Sequence, residues 1–333
     1  VNAGTTGVSG KLSFTSGTAS GGMSGEVRIA TGTATQGKAG DVLVSIGDGT
    51  TYTGGDIVAS AGMSTATSGG SGGAVSVTTG HGHSTSSGAL IVKTPDAGTS
   101  GVSGSLYFSS GTASSGGSGS ISIFTGAATH GEGGDILVSV GKSKTDTGGD
   151  VYAIAGDSTP FTGGAVSLTT GEGTDTSSGS FIVRTVNAGT TGVSGKLSFT
   201  SGTTSSGTSG VVTVGTGSAT NGKAGNMVLS VSAGTTFDGG DIEVKAGETT
   251  ANSVRGGTLS VTAGASTSTT GAEGGSLLVH GGRGHSFSGG SVSLSTGEGT
   301  SMSSGHLVLR SVNAGTSGVS GSLYFSSGTA SSG

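Results

Sequence analysis

Five aspartates stand at or just ahead of apolar stretches, at Asp41, Asp56, Asp135, Asp150 and Asp241. Asp41 lies fifteen residues from Asp56, and Asp135 fifteen from Asp150. In a chain that stacks at that period, each pair would bring two carboxylates to one level. Like charges that close repel unless a cation lies between them or one takes up a proton. Two readings follow. Either calcium is shared by Asp41 and Asp56, or by Asp135 and Asp150, or these are solvated aspartates at glycine turns. Turn chemistry fits the Gly-Asp context better, and the calcium-binding repeat Gly-Gly-x-Gly-x-Asp is missing. No cofactor is therefore expected, with calcium as the weaker alternative.

The other chemically capable residues assemble no reactive set. His81 and His83 flank a glycine, and His130, His280, His285 and His306 are scattered, with no acidic or cysteine partner spaced to complete a zinc site. Gly69-Gly70-Ser71-Gly72-Gly73 has the Gly-x-Ser-x-Gly form of a nucleophile elbow, but chance supplies that match in a chain so rich in Gly and Ser, and the strand-turn-helix setting is lacking. Gly141-Lys142-Ser143 has Ile136 where a phosphate loop needs glycine. The chain is not expected to be an enzyme.

What would position these residues is a repeat. Gly40-Asp41-Val42-Leu43-Val44-Ser45-Ile46-Gly47 shows the unit most clearly. An opening glycine stands two residues before the first apolar position, apolar residues alternate, and a closing glycine follows five residues after that first position. The first apolar residues run from Leu12, Val27, Val42 and Ile57 to Val292, Leu307 and Leu323, giving 21 units mostly of 15 residues. Every unit has its opening glycine. The closing one is replaced only at Pro95, Val186, Ser232 and Val312. Alternation at period two predicts strands, and a short period sustained along a chain predicts a repeat fold. The eighth position, seven residues after the first apolar one, is small (Ala34, Gly49, Ser64, Gly82, Ser143, Gly173, Ala330). Small residues facing Val, Ile, Leu and Phe predict two closely packed sheets. The expected fold is therefore all-β: a single-chain β-solenoid of about 21 coils with a flattened two-sheet section, its handedness open. At about 4.8 Å per rung it would make a rod on the order of 100 Å long. The brackets are expected to use glycine for positive φ or close backbone approach.

Composition sets the outer limits. The chain has 333 residues, 75 of them Gly, with no Cys and a net charge of -5. Disorder would ordinarily suit such a composition, but the strict apolar schedule argues against it. Without cysteine there is no disulfide framework, and without a basic stripe no nucleic-acid partner is expected. No apolar run reaches the 18 residues that a membrane-spanning helix needs. The chain starts and stops within repeats and reads as a window of a longer array.

A longer period overlies the short one. The phrase beginning Val1-Asn2-Ala3-Gly4-Thr5 returns from Pro95, Val186 and Val312. One continuous solenoid over 1–333 is expected, in tandem blocks of six, six and eight coils starting near residues 10, 104 and 195. Residues between the alternating apolar ones should face outward. These are Leu43, Leu137 and Val228 in the third units, Ile91, Lys93, Ile182, Arg184, Val308 and Arg310 in the last unit of each block, and Tyr107 and Tyr324 in first units. Recurring at the block period, they are a candidate lateral interface.

The Gly-Gly-Asp-Ile-Leu-Val-Ser-Val-Gly unit at 133–141 and the Gly-Gly-Ala-Val-Ser-Leu-Thr-Thr-Gly unit at 163–171 resemble Gly/Ser/Thr-rich tandem repeats in giant surface proteins of microalgae. Similar strings occur in viral and bacterial fibre proteins. The resemblance implies an extracellular structural or adhesive β-solenoid and transfers no functional residue. The expected function is a rigid extracellular filament, sheath or adhesive strand, self-associating, with O-linked glycans on its many hydroxyls. Two alternatives remain: an ice-binding or other ligand-binding solenoid, and a viral fibre or bacterial adhesin shaft. The outward file Thr15, Ala30, Ser45, Ser60, Thr78, Lys93, Ser109 and Phe124 is too irregular for an ice-binding array.

Overall fold

The structure is a computed structural model that describes residue 3 and residues 7–329. Among the described residues there is no helix and no strand. The chain is irregular throughout, punctuated by bends and a few tight turns, and divides into two units, Val1–Ser167 and Leu168–Gly333. The all-β solenoid with stacked strands is therefore corrected. Alternation states which side chains share a face of an extended segment, but a strand also needs a neighbouring backbone in register. No backbone–backbone hydrogen bond among the described residues joins one apolar segment to another.

All but one of the backbone bonds that do form lie at the segment ends, the exception being the Gly318 N–H to the Gly315 carbonyl at 3.4 Å within a turn. In the first unit the Gly73 N–H donates to the Gly62 carbonyl at 2.9 Å, Gly88 to Gly80 at 3.0 Å and Gly164 to Gly156 at 2.9 Å. In the second, Gly179 donates to Gly171, Gly257 to Gly247, Gly275 to Gly264, Gly290 to Gly282 and Gly305 to Gly297, all between 2.8 and 3.1 Å. In each case the donor is an opening glycine and the acceptor is the closing glycine of the preceding repeat. One hydrogen bond thus clips the base of each of these return segments, and the apolar segments on either side find no ladder partner.

From Gly25 to Gly305 a Cβ on the opening glycine would face the residue that ends the preceding apolar segment or the closing glycine beside it, at ordinary contact distance in ten of these nineteen units and under 3.0 Å in three. A Cβ at Gly55 would fall 2.9 Å from Ile46 Cγ2, at Gly149 2.9 Å from Val140 Cγ1 and at Gly240 2.8 Å from Val231 Cγ1. Positive φ is found elsewhere, within the return segments at Gly37, Gly69, Gly116, Gly131, Gly207 and Gly271, and at Ser253 with φ 61°. Neither bracket uses it.

The predicted dry seam is also absent. No described residue is buried, and every large apolar residue among them keeps at least 47% of its surface in solvent. The exposed area of 33128 Å² compares with about 12,000 Å² for a globular chain of this mass. The described residues most enclosed are small ones. Ser64, Gly82, Ser143 and Gly173 occupy the eighth position of their units, and Thr94, Ala155 and Ala263 the fifth. Smallness at the eighth position comes from the turn, not from an opposing sheet. A Cβ on Gly82 would meet the Ser86 carbonyl oxygen at 2.5 Å, and one on Gly173 would meet that of Ser177 at 2.5 Å. In several units a hydroxyl at this position bonds within the turn. Ser64 Oγ accepts from the Ala66 N–H at 3.3 Å, Ser143 Oγ from Asp146 at 3.1 Å and Thr249 Oγ1 from Ala251 at 3.3 Å. Ala330 lies outside the described residues.

Candidate functional site

The candidate interface residues are all exposed. Leu43 stands 87% in solvent, Leu137 85%, Tyr107 86% and Tyr324 88%, with Ile91, Ile182, Val228 and Val308 between 70 and 80%. Lys93, Arg184 and Arg310 are exposed as well. A gradient survives from the predicted alternation. Val42, Leu106, Ile136 and Leu323, the first apolar residues of their units, are about half covered, whereas the residues directly after them are mostly bare. The result is an apolar residue presented to solvent in unit after unit.

Two of the aspartates have side-chain partners of their own. Asp41 Oδ2 pairs with Lys38 Nζ at 2.8 Å, with both side chains about three-quarters exposed. Asp150 Oδ2 accepts from the Tyr152 hydroxyl at 2.8 Å. Asp56 and Asp135 have no side-chain partner among the described residues, and no group of three or more His, Asp or Glu able to hold a metal forms there. Turn chemistry is visible at Asp146 instead, whose Oδ1 accepts from the Thr147 N–H at 2.7 Å. The histidines are exposed apart from one another's reach as a metal set.

Sequence reasoning missed a feature at the block junctions. Arg184, Thr185, Val186 and Asn187 line an open concavity of about 480 Å³. Arg310, Ser311, Val312 and Asn313 line its counterpart, about 350 Å³. Both follow the last unit of a block, where the closing glycine is replaced by valine. Each leads into a tight turn, at Thr190-Thr191 and at Thr316-Ser317. That turn is close enough for a Cβ on Gly192 or Gly318 to touch the methyl of Ala188 or Ala314 at 3.5 Å. The signal was present in the sequence, because three of the four lost closing glycines have a cation two residues earlier, at Lys93, Arg184 and Arg310, and the fourth, at Ser232, does not.

No protein-family model, curated protein or solved structure matches the chain. Among the described residues no helix is long and apolar enough to cross a membrane.

Proposed function

We propose that this chain is a structural protein of an extracellular filament, sheath or adhesive strand, built by self-association of its repeats. One observation carries the reading: apolar side chains recur on a fifteen-residue schedule and remain in solvent throughout the described residues. Apolar surface on that scale favours association, and the same face recurring at a fixed interval suits many weak identical contacts better than one discrete interface. Low charge supports it further. With 9% charged residues and a net charge of -5, little repulsion opposes the approach of a second copy. The partner in this reading is the chain itself, and the exposed serines and threonines would carry any O-linked sugars.

Sedimentation velocity on the full chain over a hundredfold concentration range, with negative-stain micrographs of the same samples, tests the proposal. The expected result is concentration-dependent growth into elongated assemblies. A L43S/L137S/V228S variant should shift that growth to at least tenfold higher concentration, since covering one large apolar side chain contributes about 1.5–3 kcal/mol. Monomer at every concentration, or a variant that assembles like the parent, would overturn it.

A further inference from the structure

We infer that the two Val-Asn block junctions are oxyanion-binding sites, each taking one sulfate-like group on an arginine and an asparagine. The concavity at Arg184–Asn187 recurs at Arg310–Asn313, 126 residues further on, from the sequences Arg-Thr-Val-Asn and Arg-Ser-Val-Asn. Arginine offers a planar fork of N–H donors and asparagine an amide NH2, a pairing suited to tetrahedral or carboxylate oxygens. Neither arginine forms an ion pair among the described residues.

The remaining junction is a built-in contrast. There the sequence is Lys93-Thr94-Pro95-Asp96, so the amide is replaced by a carboxylate that would repel an anion. The turn differs too. A Cβ on Gly101 would touch nothing within 4 Å, whereas one on Gly192 or Gly318 would touch the alanine four residues before it. The concavity, the folded turn and the Arg/Asn pair therefore occur together twice, and the Lys/Asp junction lacks the folded turn. The copy beginning Val1-Asn2 lies largely outside the described residues.

The test is a sodium sulfate titration of the full chain at constant ionic strength, following the side-chain amide resonances of Asn187 and Asn313. Saturable shifts at both are expected. R184Q/R310Q should weaken binding at least about fivefold, the order expected from losing a charge-assisted hydrogen bond. K93Q should leave it unchanged, and K93R/P95V/D96N should create a third responsive amide at residue 96. A parallel titration with dextran sulfate separates the sources: tighter binding per sulfate group than the free ion points to a polymer ligand, and equal binding to the ion itself. Absence of saturable shifts with either probe would overturn the inference. So would equal weakening by K93Q and R184Q/R310Q, or no response from the K93R/P95V/D96N variant.

Discussion

Replacing Gly82 by alanine should unclip one return segment while leaving its neighbours intact. The loop from Gly80 to Gly88 is closed by the Gly88 N–H donating to the Gly80 carbonyl at 3.0 Å. Inside it, a Cβ on Gly82 would sit 2.5 Å from the Ser86 oxygen and 2.6 Å from that of Thr85. Ordinary contact begins near 3.4 Å, so the backbone must give by about 0.9 Å on two sides at once. Carbonyl oxygens cannot swing aside as a flexible side chain would, and relief comes only by opening the loop. An intramolecular hydrogen bond of this kind stabilises by about 0.5–1.5 kcal/mol net. The Gly88 amide should therefore exchange about 2- to 13-fold slower than an unbonded amide in the parent, and lose that protection in G82A. Amide hydrogen exchange by NMR reads this directly. Gly80→Ala is the control, because a Cβ there meets nothing within 4 Å and the accepting carbonyl is retained. Unchanged protection of Gly88 in G82A, or equal loss in G80A, would refute the steric account of the eighth position.

Three further outcomes follow. Gly69→Val, at φ +73°, should cost about 1–2 kcal/mol locally and remove exchange protection from Gly73, whose bond to Gly62 closes that loop. Ser253→Gly should act in the opposite direction, relieving a φ of 61° and slowing exchange of Gly257, which bonds to Gly247. Because the association is apolar in origin, cooling from 25 to 5 °C should weaken it in sedimentation, and 0.5 M NaCl should not. Dissociation by salt would point instead to ion pairs such as Lys38–Asp41, which at its exposure contributes little.

The glycine schedule was legible in the sequence and its cause was only half so. Close approach is what the structure shows at three opening glycines, with Ile46, Val140 and Val231 against Gly55, Gly149 and Gly240. Positive φ was expected at the brackets and occurs instead inside the return segments, as at Gly69 and Gly271. A glycine at a fixed position does not say which of its two freedoms is in use. The strands were the larger error. Val42, Val44 and Ile46 alternate as strand residues do, yet a ladder is a non-local feature, and nothing within one fifteen-residue unit says whether the next will lie in register. Small residues at Ser64, Gly82 and Gly173 were read as facing an opposing sheet and are turn residues, because a tight turn and a thin core both select against bulk. Of the candidate site, the sequence flagged Arg184 and Arg310 as outward, but the concavities they line at 184–187 and 310–313 follow from the path of the backbone there, which alternation does not give.

Hydrodynamic size against concentration is the most direct test of the account, which holds that apolar residues left uncovered within one chain are covered by other copies. At the lowest concentration the full chain should sediment as a 30.9 kDa monomer, and it should grow into assemblies as concentration rises. A monomer at every concentration would contradict it, because the exposed apolar residues would then find no other copy.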